Sequence, residues 1–270
     1  MVRTVGMRRR LKKPRFRSRK SRGSTQARLP VMRIAHRGAS GLAPENTVAA
    51  AEMALEIGVD LVEIDIHLTA DGHPVVIHDR TLDRTTNGTG PVDTMTLKQI
   101  QELDAGTHFG RKFKGESVPT LDEMMEVTRR RALLLIEAKT VEAAERAAVL
   151  VRSRRAQSHV VIQSFLGPAV RAVNRLDSRI PTAFLMSGSE ATLRRKTGVV
   201  KRALKLGANA LALNFKAAQP DLVAMFLSRA MGFWVYTVDE EEDIRAMVEM
   251  GVGGIITNYP DRLNKVLEEC

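Results

Sequence analysis

The sequence predicts a (β/α)8 barrel with one long excursion near its start. Short aliphatic or β-branched runs alternate with helical patterns, the mark of βαβ units and a parallel sheet. The runs number eight, the count that closes such a sheet into a barrel. A length of 270 residues suits a single domain of this kind.

The predicted strands are Met32 to His36, Leu61 to Leu68, Leu133 to Ala138, Val160 to Phe165, Thr182 to Met186, Ala210 to Phe215, Phe233 to Val238 and Gly254 to Asn258. Helical patterns between them include Thr47 to Ile57, Leu121 to Arg130, Val141 to Arg152, Ala169 to Arg175, Ala191 to Leu206, Asp221 to Met231 and Glu241 to Met250. One apolar run, Pro74 to His78, is left over. It follows the second strand too soon for a parallel crossover, which needs a dozen or more residues, so the two form a hairpin. Asp71-Gly72 suits a two-residue type I′ turn, a register that sets Asp65 opposite His78. Residues 80–119 then form a small insertion on the upper face, rich in Thr and Gly and without a strong apolar cluster.

Charge divides the chain in two. Met1 to Pro30 holds twelve of the 42 Lys and Arg and no acid, leaving thirty bases against 31 acids in residues 31–270. The folded part therefore carries no footprint for a polyanion, and nucleic-acid binding through it is not expected. Residues 1–30 read as a disordered tail. It is a solvated appendage or misassigned start, with Met32 able to begin a complete domain, or an organelle-targeting peptide, or a weak tether to an anionic surface. No apolar run is long enough to span a membrane, and the one cysteine, Cys270, excludes an internal disulfide or a cysteine-ligated metal. A soluble protein of a reducing compartment, the cytoplasm, is expected.

The chemistry begins on the second strand. Glu63, Asp65 and His67 alternate with Ile64, Ile66 and Leu68, so the carboxylates share one face. In a barrel the aliphatic face packs under the helices, which sends both acids inward near the strand's C-terminal end. Glu137, after Leu133 to Ile136, adds a third acid at the same level. Buried carboxylates need a cation. Either they pair with Lys139 and Arg37 alone, or three oxygen ligands hold a hard divalent metal, Mg²⁺ or Ca²⁺. Two histidines at strand ends favour the second reading. His36 ends the first strand and His78 ends the hairpin arm, and imidazole gives and takes protons near neutral pH, as cleavage of a diester requires. Arg37 offers a planar fork and Lys139 a point charge for phosphate oxygens. Asn46 is placed to cap the first helix. His67 could support the site, whereas His73, His108 and His159 look like turn or surface residues.

These motifs resemble the glycerophosphodiester phosphodiesterases among the phospholipase C-like barrels. The likeness runs from Met32 to the C-terminus through His36-Arg37-Gly38, Pro44-Glu45-Asn46-Thr47, Glu63-Ile64-Asp65, Asp71-Gly72 with His78-Asp79, Pro119-Thr120-Leu121, Glu137-Ala138-Lys139, Gln163-Ser164-Phe165 and Gly254 to Pro260. The resemblance implies a metal held by Glu63, Asp65 and Glu137, with acid/base catalysis by His36 and His78. It further implies substrate contacts from Arg37, Lys139, Glu45 and Trp234, and hydrolysis of a small glycerophosphodiester to sn-glycerol 3-phosphate and an alcohol. Two stretches depart from the family wording. Tyr236-Thr237-Val238-Asp239 stands where Trp-Thr-Val-Asn is usual, with Trp234 two residues earlier, and Asn258 stands where Asp is common. The rival reading is a lysophospholipase D-like enzyme working at a membrane surface, which would need an apolar groove.

Overall fold

A computed structural model describes residues 30–188 and 196–269. The basic tail, except Pro30, lies outside the described residues, as do the first positions of the helix expected at Ala191 to Leu206.

Eight parallel strands close into a barrel. They are β1 (Met32–Ala35), β2 (Leu61–Leu68), β4 (Leu133–Ala138), β5 (Val160–Ser164), β6 (Thr182–Met186), β7 (Ala210–Asn214), β8 (Gly232–Tyr236) and β9 (Gly254–Thr257). Each pairs with its neighbour in this order, and β1 pairs with both β2 and β9 to shut the ring. The additional strand β3 (Pro74–Val76) runs antiparallel along β2. Helices α1 (Val48–Ile57), α3 (Leu121–Thr128), α4 (Val141–Ser153), α5 (Gly167–Leu176), α6 (Lys196–Leu206), α7 (Pro220–Leu227), α8 (Glu241–Met250) and α9 (Pro260–Glu268) connect or follow the strands. A short α2 (Leu97–Gln101) lies in the insertion. Among the described residues no helix is long and apolar enough to cross a membrane.

Alternation along each strand sorts the side chains into two layers. On β2, Val62, Ile64 and Ile66 join the helices in an outer core. Leu61 points inward, where it meets Ile34, Leu135, Val161, Ala183, Leu185, Ala210, Ala212, Trp234 and Ile256 in an apolar plug. Above that plug, on the same inward faces, come Glu63, Asp65, Glu137 and Gln163, all buried. The barrel is therefore hydrocarbon at its floor and charged at its mouth. Threonines begin several helices. Thr47 caps α1 and Thr140 caps α4, while Thr120 and Glu123 form a reciprocal capping box on α3.

The hairpin differs from expectation by one residue. Ile66 pairs with Val76 and His67 with Val75, so Ile77 stands opposite Asp65 rather than His78. The Ile77 amide donates to the Asp65 carbonyl at 3.0 Å. The loop is longer than the two-residue turn, because the Thr69 amide donates to the His73 carbonyl at 3.0 Å and closes over Ala70-Asp71-Gly72. The Thr69 hydroxyl locks it, donating to Asp71 Oδ1 at 2.6 Å and accepting from the His73 amide at 2.9 Å. Gly72, at φ +79°, takes the left-handed position of such a three-residue loop.

The insertion also holds more apolar structure than its composition suggests. Leu82, Val92, Ile100, Ala105 and Val118 bury themselves against Val75 and Ile77 of the hairpin arm. They form a small core beneath the rim, not an apolar groove open to ligand.

The chain after β1 turns sharply, with Arg37 at φ +56° and Gly38 at φ +76°. A Cβ on Gly38 would lie 2.5 Å from the Ala50 carbonyl carbon in α1. That contact is with backbone and cannot be relieved by a side-chain rotation. Gly38→Ala is expected to cost roughly 3 kcal/mol of stability, from left-handed strain plus overpacking. Urea unfolding checks this, and an unchanged midpoint would contradict the tight packing of this turn.

Candidate active site

The three acids converge as β2 and β4 dictate. Their register sets Asp65 beside Glu137 on adjacent strands, with Glu63 one inward position below. One carboxylate oxygen from each of Glu63, Asp65 and Glu137 lies within 4.8 Å of the others, and all three residues are buried. Lys139 bridges two of them, 2.6 Å from Asp65 Oδ1 and 2.5 Å from Glu137 Oε1. Arg37 Nε lies 3.2 Å from Asp65 Oδ2, near enough for an ion pair though not aligned as a hydrogen bond. The Arg37 backbone amide donates to Glu63 Oε2 at 3.0 Å, and Gln163 Nε2 donates to Glu63 Oε1 at 3.2 Å.

Asn46 is not the helix cap. Thr47 fills that role, and Asn46 at φ +60° turns into the barrel, donating through Nδ2 to Asp65 Oδ2 at 2.9 Å. Its Oδ1 accepts from the Asp65 amide at 3.1 Å. This double contact explains why the chain accepts left-handed backbone at a non-glycine residue there.

The two histidines face one cavity at the mouth, lined also by Arg37, Glu63, Glu137, Lys139, Gln163, Phe165, Leu185, Tyr236, Thr237 and Ile256. Each imidazole is held by Nδ1. His36 Nδ1 lies 2.7 Å from Asn258 Oδ1, and His78 Nδ1 lies 2.7 Å from Asp79 Oδ1. Both therefore keep Nε2 for a ligand. His67 supports the second, its Nε2–H donating to the His78 carbonyl at 3.1 Å. His73, His108 and His159 are exposed, as expected.

Two expected substrate contacts sit elsewhere. Trp234 is in the apolar plug, against Gly254 and Gly232 near the floor, and Tyr236 two residues on lines the cavity instead. The inward faces of a strand recur every second residue, so both point inward but at different depths. Glu45 does not line the cavity. Its carboxylate accepts from Arg37 Nη1 at 2.9 Å and from Arg84 at 2.8 Å on each oxygen. Arg84, from the insertion, also donates to Asp79 Oδ2 at 2.6 Å. It thus ties Glu45, behind Arg37, to the carboxylate that holds His78. Asp79, Gln163, Asn258 and Asp239 lie in stretches the sequence already singled out, though without an assigned role, whereas Arg84 carries no signal by residue type or by motif.

Charge pairing alone does not balance this network. Five carboxylates, Glu45, Glu63, Asp65, Asp79 and Glu137, share three cations, Arg37, Arg84 and Lys139. The surplus bears on the acids themselves. Burial, and then the neighbouring Asp65 charge, push Glu63 up to about 8 and Glu137 up to about 7. Burial opposes ionisation of Asp65 too, but Lys139 and Arg37 outweigh it and hold that carboxyl below its usual range. His36 and His78 are both lowered, chiefly by burial. A set of three converging, buried oxygen donors with two negative charges left over fits a hard divalent cation.

Residues 36–262 match the glycerophosphoryl diester phosphodiesterase family. The chain belongs to that family. It is a phosphodiesterase by descent, and its barrel is the one its relatives use. A glycerophosphodiester phosphodiesterase of Caldanaerobacter subterraneus subsp. tengcongensis is 38% identical over 241 residues, covering 85% of this chain and 95% of the relative. One from Bacillus subtilis is 32% identical over 264 residues, covering 91% and 89%. Among solved structures, a phosphodiesterase of Oleispira antarctica in complex with the product sn-glycerol-3-phosphate superposes with a TM-score of 0.80 at 27% identity, covering 89% of this chain and 97% of that one. A glycerophosphodiester phosphodiesterase of Agrobacterium tumefaciens superposes with a TM-score of 0.77 at 32% identity, over 87% and 100%.

The raised glutamates make stability depend on pH. Their folded pKa values lie above the unfolded value of 4.5, so the unfolded chain releases these protons first as pH rises. Metal-free protein is therefore expected to lose stability between about pH 5 and about pH 8, and Mg²⁺ or Ca²⁺ to restore more at the upper end, where no proton must leave first. Thermal melts with and without EDTA across that range test this; a cation effect equal at both ends would refute it.

Proposed function

We propose that this enzyme hydrolyses glycerophosphodiesters to sn-glycerol 3-phosphate and an alcohol, using a divalent cation and two histidines. The single observation that carries the reading is the meeting of His36 and His78 with Glu63 and Glu137 around one cavity, beside the buried Asp65. Membership of the family and likeness to the Oleispira antarctica complex support the choice of substrate.

Glu63, Asp65 and Glu137 would hold the cation. Bound there, it supplies positive charge that offsets the build-up on the non-bridging phosphoryl oxygens. Arg37 and Lys139 present the protein's own cations to the same oxygens, already oriented by their carboxylate partners and needing no reorganisation. One histidine takes the proton from the attacking oxygen through Nε2, and the other delivers a proton to the departing alkoxide. The attacking oxygen is the glycerol hydroxyl of the substrate, by way of a cyclic phosphate, or a water. Gln163 Oε1 is buried without a hydrogen-bond partner among the described residues and offers an acceptor for a substrate hydroxyl. Phe165 and Leu166, both exposed, flank the rim and give a larger alcohol some apolar contact, far short of a lysolipid groove.

Release of glycerol 3-phosphate from glycerophosphocholine and glycerophosphoethanolamine tests the proposal. Activity is expected to vanish with EDTA, to return with Mg²⁺ or Ca²⁺, and to fall by about 10²–10⁴ in His36→Ala and in His78→Ala. Turnover of lysophosphatidylcholine with neither glycerophosphodiester accepted would overturn the substrate assignment.

A further inference from the structure

His36 sits in a chain of hydrogen bonds that fixes where its proton lies. Its Nδ1 is 2.7 Å from Asn258 Oδ1. Asn258 is itself clamped, its backbone amide donating to Asp239 Oδ1 at 2.8 Å and its side-chain Nδ2 donating to Asp239 Oδ2 at 2.7 Å. The Thr257 hydroxyl adds a further donor to Asp239 Oδ1 at 3.1 Å.

A carboxylate only accepts hydrogen bonds, so Asn258 must turn its NH₂ toward Asp239. The opposite orientation would set the amide oxygen against a carboxylate oxygen. The amide oxygen consequently faces His36, and it too can only accept. His36 must then carry a proton on Nδ1, and in its neutral form Nε2 keeps the lone pair. The Ser40 hydroxyl, 2.7 Å from Asn258 Oδ1, completes that oxygen's shell by donating to it.

From these contacts we infer that Asp239 is a positioning residue for the phosphodiesterase reaction: through Asn258 it sets the tautomer of His36 and leaves Nε2 free for substrate. This rests on His36 being one of the two proton-transfer groups. Positions 239 and 258 are each other's hydrogen-bond partners. The reverse arrangement, a carboxylate at position 258 and an amide at position 239, would also accept from Nδ1–H, whereas two amides would leave the tautomer undetermined and two carboxylates would repel each other and break the clamp.

The test uses the full chain with Mg²⁺. In ¹⁵N-labelled protein at mildly alkaline pH, His36 is expected to show a protonated Nδ1 and an unprotonated Nε2. Asp239→Asn is expected to lower kcat by about tenfold with little change in KM, as loss of an orienting partner one bond removed does. Asn258→Asp is expected to fall similarly, and the double exchange Asp239→Asn with Asn258→Asp to recover most of the rate. A purely structural part for Asp239 would shift melting temperature without this recovery in kcat. A wild-type spectrum with His36 protonated on Nε2 alone, or wild-type kcat in Asp239→Asn, overturns the inference. If Asp239→Asn does not fold, the wild-type spectrum decides. Full activity in His36→Ala would instead remove the reading on which the inference rests, while leaving the measured tautomer standing.

Discussion

A surplus of negative charge, buried at one end of a hydrocarbon barrel, governs this molecule. Ionised carboxylates out of water are costly unless answered. Here Lys139 is drawn between Asp65 and Glu137, Arg37 is drawn against Asp65, and a backbone amide and Gln163 are turned toward Glu63. The left-handed turn at Arg37 and Gly38 and the inward twist of Asn46 answer the same need, since each delivers a donor to β2 that regular backbone could not.

The alternation on Leu61 to Leu68 makes the barrel and its acidic mouth legible from sequence, because period two leaves no choice of face once the aliphatics are assigned to the helices. His36 and His78 are legible because strand ends must reach the mouth. The hairpin register is not. Asp71-Gly72 reads as a two-residue turn, and only the Thr69 side chain, by bonding both Asp71 and His73, makes the loop one residue longer. Asn46 reads as a cap for a similar reason, since Asn and Thr side by side both suit that position and the choice falls to a long-range contact with Asp65. Trp234 and Tyr236 share an inward face, and depth along a strand is set by neighbouring strands, not by residue type. The apolar residues of the insertion are too scattered in sequence to show a period, so their common core becomes visible only once folded.

The histidines are held by the same ring nitrogen but by unlike partners, a neutral amide for His36 and a carboxylate for His78. A carboxylate partner adds its charge in favour of the imidazolium, whereas a neutral amide offers only its dipole. Two chemically identical side chains are thereby given different surroundings in one cavity, which suits the proposed division into one base and one acid.

Arg84 gives the insertion a meaning that its surface position conceals. Its guanidinium joins Glu45, on the loop after β1, to Asp79, five residues before it on the loop after β3, so two loops distant in sequence are tied by a residue of one of them. The excursion is therefore a keystone of the rim, not an ornament on it. A loop that replaced the stretch carrying Arg84 would have to return a forked cation to the same point, or the two halves of the mouth would lose their common reference.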